Sequence, residues 1–187
     1  MSRIAALLVV TTLAVGSAQA ALIDGPYEFI EKWGEGTLDL KLAPVDSSES
    51  ASIIVSNSLT DPDLYVWNIE AVDSTYYKLI NEGSGYALTA VGEASCTQET
   101  YAATDYQLWA IDDTDSQAGY YELRPKSSEK NLEAWASDGP KDGMVAGFYK
   151  DNSKDWQSWK VVPEPASAAL LVVGLPALLG LRKRRRA

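Results

Sequence analysis

Twenty-six carboxylates, one thiol and no imidazole bound the chemistry open to this chain. Without histidine, Ser-His-Asp and Cys-His nucleophiles cannot be activated, and the commonest zinc and iron ligand is missing. Hydrolysis by paired carboxylates is the main catalytic route left. The 25 acidic residues between 21 and 163 single out no pair. Cys96 has no partner for an internal disulfide and reads as a small core hydrophobe. The acidic runs "DDTDS" (112–116) and "TDPD" (60–63) offer oxygen ligands of the kind Ca²⁺ takes, but neither has EF-hand spacing. Solvated acidic turns are the simpler reading. Neither a metal nor a cofactor is expected.

A different chemistry is suggested by Gln-x-Trp, which occurs in "DYQLW" (105–109) and again in "DWQSW" (155–159). The flanks repeat as well. "YYKLINEGSGYALTA" (76–90) precedes the first copy and "YYELRPKSSEKNLEA" (120–134) the second. A third, more divergent version runs from "YEFIEKWGEGTLDLK" (27–41) to "LYVWNIE" (64–70), with Tyr65 where the glutamine would stand. Trp67, Trp109 and Trp159 are thus 42 and 50 residues apart. Self-similarity at such a period marks a repeat architecture. Each unit reads as short strands broken by turn clusters such as "NEGSG" and "SDGPKDG", with no sustained helical period. One unit has too few apolar residues to bury itself, whereas three closing around an axis share one core. The three tryptophans are the expected centre of that core.

The signature and its period resemble the ricin-B-type lectin domain, a β-trefoil, over nearly all of 21–163. A β-sandwich is the competing all-β architecture. The resemblance implies a core role for each repeat's Trp, and a sugar site built from a carboxylate, an aromatic about eight residues before the Gln, and an Asn between them. These parts suit sugars: a carboxylate accepts from hydroxyls, a ring face packs against C–H groups, and an amide donates and accepts. Repeat three matches best, with Glu133, Tyr149, Asn152 and Gln157. Glu replaces the family's Asp, which lengthens the reach by one methylene. Repeat two has Thr89 and Glu99 in the key places, and repeat one has Asp39 and Asn57, so neither is expected to bind. Trp33 and Trp135 read as hydrophobic fill or added stacking surfaces.

Both ends look like targeting sequence. Residues 1–20 combine Arg3, an apolar run and Ala18-Gln19-Ala20, the pattern of a secretory signal peptide. The trefoil is therefore expected over 21–161. The segment 162–187 resembles a PEP-CTERM sorting signal: Val162-Pro163-Glu164-Pro165, an uncharged helix over 166–181, and five basic residues at 182–186. That helix would reach about 24 Å, and snorkelling arginines would complete a span of about 30 Å. The resemblance implies cleavage by an exosortase-type enzyme in a Gram-negative bacterium, a transient inner-membrane anchor, and transfer to the cell surface or exopolysaccharide matrix. Between the ends, ten basic residues face 25 acidic ones, a net charge of −15 that disfavours nucleic acid as a partner. Two functional readings stand: an exported carbohydrate-binding protein of the envelope or matrix, or a structural or protein-interaction trefoil without sugar affinity. An enzyme is not expected, because the repeats fill the exported chain.

Overall fold

The computed structural model describes residues 24–32, 38–114, 118–134, 139–150 and 155–164. Among the described residues, thirteen short strands, all paired antiparallel, fall into three repeats. Repeat one holds β1 (Gly25–Glu31), β2 (Lys41–Pro44), β3 (Ile53–Ser56) and β4 (Val66–Ala71). Repeat two holds β5 (Tyr77–Asn81), β6 (Ala87–Val91), β7 (Ser95–Glu99) and β8 (Trp109–Asp113). Repeat three holds β9 (Tyr120–Pro125), β10 (Lys130–Glu133), β11 (Met144–Val145), β12 (Gly147–Lys150) and β13 (Trp159–Pro163).

The first and last strands of each repeat form a closed circuit, β1–β4–β5–β8–β9–β13, with β13 returning to β1. Closure leaves no free edge in this six-stranded ring. Its registers repeat. Within each repeat a tyrosine opposes the tryptophan: Tyr27 and Trp67, Tyr77 and Trp109, Tyr121 and Trp159. Across each junction the same tryptophan opposes the end of the next first strand: Trp67 and Asn81, Trp109 and Pro125, Trp159 and Glu31. The middle strands form hairpins β2–β3, β6–β7 and β10–β12. These close on one another through Ser52 and Thr97, Ser95 and Gly147, and β3 with β11. This is a β-trefoil, not a two-sheet sandwich.

Trp67, Trp109 and Trp159 are fully buried. Each indole N–H donates to the carbonyl of a leucine on its repeat's first hairpin strand: Leu42 at 2.9 Å, Leu88 at 3.0 Å and Leu132 at 3.1 Å. A buried indole needs such a partner, and here the bond also ties barrel to hairpin. Around them pack Phe29, Leu79 and Leu123, with Phe148 stacked 6.1 Å from Trp109. Cys96 is buried in the same core, and desolvation pushes its thiol well above the usual range, the state of an inert thiol.

One boundary differs from the sequence reading. Val162 and Pro163, assigned to the tail, are ladder residues of β13 opposite Glu28 and Tyr27. The Glu164 N–H donates to the Pro26 carbonyl at 3.2 Å. A proline is tolerated here because it stands at the last position of the ladder. The expected limit after residue 161 therefore falls inside a barrel strand. Pro165, the signal peptide at 1–20, the helix at 166–181 and the basic end lie outside the described residues. Among the described residues, no helix is long and apolar enough to cross a membrane.

Candidate carbohydrate site

The three leucines that accept from the tryptophans fix which residues are equivalent. The residue after each is Ala43, Thr89 and Glu133. Repeat one therefore offers alanine at the acidic position, not Asp39, which lies four residues earlier, exposed and in a left-handed conformation (φ 45°). The sequence offered "LDLK" as a decoy for the true "LAP". The aromatic position follows from the hairpin ladders, where Tyr149 opposes Asn131, Glu99 opposes Ala87, and Ser56 opposes Lys41. Counting eight residues back from Tyr65, which stands in the Gln position, had placed Asn57 there, one residue late.

In an antiparallel pair, directly opposed side chains share a face and alternate along the strand. Glu133 opposes Gly147, and Asn131 opposes Tyr149. These four share the outer face of the β10–β12 hairpin. Leu132 and Phe148 turn inward to the core. Glu133 and Tyr149 are thus diagonal neighbours, and the tyrosine is 56% exposed. Gly147 suits its place, because a Cβ there would meet the Ala94 carbonyl oxygen at 3.0 Å, and the backbone would have to give by a few tenths of an ångström. Its pairing with Ser95 brings the start of β7 close opposite Glu133.

Gln157 underlies both residues. Its side-chain N–H groups donate to the Tyr149 and Lys150 carbonyls at 3.3 and 3.2 Å. Gln157 and the Trp156 side chain also donate to the Glu133 carboxylate. Burial nevertheless pushes the Glu133 carboxyl above its ordinary range, and the two hydrogen bonds only partly oppose it. Its Oε2 is shielded from water and has no hydrogen-bond partner. Asn152, the fourth expected member, lies outside the described residues, as do Trp33 and Trp135.

The other repeats use the same positions for folding. Gln107 is consumed by its own loop: it donates to Thr89 Oγ1 at 3.1 Å and to the Thr100 carbonyl at 3.0 Å, and accepts from the Ala102 N–H at 2.7 Å. Glu99 accepts from Ser50 and Thr97. Tyr65 takes over the loop-fixing role of the missing glutamine, its hydroxyl accepting from the Leu59 N–H at 2.7 Å. The acidic runs also have local work. Asp61 caps the 3₁₀ turn Pro62–Tyr65 by accepting from the Asp63 N–H, and Asp112 pairs with Arg124 at 2.8 Å. Among the described residues, no group of three or more candidate ligands could hold a metal ion.

Comparison with known proteins agrees with this geometry. Residues 65–149 match the family described as ricin-type β-trefoil lectin domain-like. The designed threefold-symmetric protein ThreeFoil is similar at 26% identity and TM-score 0.66, over 75% of this chain and all of ThreeFoil. An exo-β-1,3-galactanase from Clostridium thermocellum is similar at 21% identity and TM-score 0.65, over 75% of this chain and 30% of the galactanase. A Polyporus squamosus lectin, solved with the epitope Neu5Acα2-6Galβ1-4GlcNAc, is similar at 17% identity and TM-score 0.58, over 74% of this chain and 48% of the lectin. The last two likenesses establish fold alone. No curated protein matches the chain. Over residues 65–149 the sequence is thus similar to ricin-type β-trefoil lectin-like domains, on a chain whose described fold is a β-trefoil.

Proposed function

We propose that this chain is a carbohydrate-binding, lectin-like protein whose working site is the outer face of the β10–β12 hairpin. The observation that carries this reading is the shared face of Glu133 and Tyr149, braced by Gln157. The ring supplies a wall for the C–H side of a sugar, and the carboxylate accepts from its hydroxyls. Asn152 is proposed as the adjacent amide. A single site of this kind binds in the millimolar to micromolar range, about −4 to −8 kcal/mol.

The reading extends to an exported, non-enzymatic protein of the cell surface or exopolysaccharide matrix, supported by the signal-like start and the PEP-CTERM-like end of the sequence. An exosortase-type enzyme would remove the tail, and the apolar helix would hold the membrane only in transit. A purely structural trefoil is the second reading, favoured by the way repeats one and two spend Tyr65 and Gln107 on their own loops. Calorimetric titration of the full chain with neutral oligosaccharides separates the two. Heat of binding that is lost in Tyr149→Ala supports the lectin; a silent wild type supports the scaffold.

A further inference from the structure

The opposite face of the same hairpin opens onto a second site. Lys130 and Lys150 oppose each other in the β10–β12 ladder. They alternate with Asn131 and Tyr149, and so point away from the face that carries Glu133. Beyond the buried Leu132 and Phe148 they reach a cleft of about 620 Å³ between repeats two and three, also lined by Arg124, Lys126, Tyr76 and Glu93. That volume is within the range of small-ligand sites.

The distribution of charge there is unusual for this molecule. Residues 21–163 hold ten basic side chains, and four of them line this one cleft. Three are held by carboxylates of the protein itself: Arg124 by Asp112 at 2.8 Å, Lys126 by Asp105 at 2.8 Å and Lys130 by Glu93 at 2.9 Å. The carboxylate partners are 52%, 60% and 72% exposed. Exposed pairs of this kind are worth about 0–1 kcal/mol, so an incoming carboxylate displaces them at little cost. Lys126 also lies over the Tyr76 ring, 5.4 Å from its centroid, which holds the ammonium at the cleft wall. Among the cations stand acceptors for hydroxyl groups: Glu93, Glu129, Ser127 and Ser128. A ligand that satisfies both sets carries carboxylates and many hydroxyls.

We propose that this cleft binds carboxylated sugars, the uronic-acid units of an acidic polysaccharide, through Arg124, Lys126, Lys130 and Lys150. The protein's own carboxylates stand in for those of the ligand in the free state. The strongly acidic remainder of the surface repels the polymer and confines contact to the cleft. The site is separate from the Glu133 face and does not depend on it.

The test titrates the full chain with oligogalacturonate, with its methyl ester, with polyglutamate and with inorganic sulfate, at low and at physiological salt. Binding is expected for oligogalacturonate alone, weakening as salt rises. The double variant Lys130→Gln/Lys150→Gln is expected to bind about tenfold more weakly or worse, the equivalent of one lost charge-assisted hydrogen bond. Arg124→Gln gives an independent second variant, and unchanged thermal unfolding of each confirms an intact fold. Glu99→Ala, outside the cleft lining, should bind oligogalacturonate as well as the wild type does. Equal binding of the methyl ester, polyglutamate or sulfate would overturn the proposal, as would full affinity in the folded double variant or a silent wild type.

Discussion

The residue that separates repeat three from its siblings is Glu133. At the same place repeat two has Thr89, whose hydroxyl is already bonded, and repeat one has Ala43, which makes no side-chain hydrogen bond. Glu133 is a costly choice for folding. Burial raises its pKa, so the folded state holds this proton more tightly than the unfolded chain. Its contribution to stability is greatest below the usual carboxylate range and is lost as pH rises through the folded value. Glu133→Gln should therefore leave the melting temperature at neutral pH unchanged or raised, while sugar binding falls. A lowered melting temperature in that variant would make Glu133 a structural residue. Binding by the wild type should weaken as pH falls through the raised value, because a neutral carboxyl is a poorer acceptor. Calorimetric titrations across mildly acid pH check this; flat affinity would remove Glu133 from the site.

At the scale of elements, the trefoil depends on how its hairpins are tied together. Asp142, before β11, reaches back to repeat one. Its carboxylate accepts from Ser56 Oγ and Ser58 Oγ at 2.7 Å each and from the Asn57 N–H at 3.1 Å. These bonds hold its pKa below the ordinary range, led by the two serine hydroxyls. The stability it adds is present above the unfolded value and is lost as pH falls through the folded one. Asp142→Asn should lower stability at neutral pH by about 1 kcal/mol, since the site is close to solvent. It should also flatten the acid limb of the unfolding curve; an unchanged acid limb would show that this tie contributes nothing.

The same elements show what was legible in the sequence. The repeat, the strand content and the tryptophans could be read from Gln-x-Trp and its flanks, because spacing survives where identity drifts. The acidic position of repeat one could not. "LDLK" imitates the pattern of the other repeats, and only the Trp67 bond to Leu42 fixes the register at Ala43. The end of the domain was also misplaced: Val-Pro-Glu-Pro reads as a tail motif, whereas pairing with β1 draws Val162 and Pro163 into the barrel. The basic cleft had no sequence signal, because the fold alone brings together Tyr76, Glu93, residues 124–130 and Lys150.

For the molecule as a whole, three equivalent indoles carry the shared core. Trp109→Ala should cost about 3–5 kcal/mol, the range for truncating a large buried aromatic. Chemical denaturation checks this, and a loss below about 1 kcal/mol would contradict a core role. A threefold fold with one equipped repeat predicts one site of the lectin type rather than three. The most direct test of that claim is a neutral glycan array read with the full-length wild type, Tyr149→Ala and Glu99→Ala. The wild type and Glu99→Ala should mark the same glycans, and Tyr149→Ala should mark none. An array blank for the wild type, or the same glycans marked by Tyr149→Ala, would contradict a carbohydrate site on the β10–β12 hairpin.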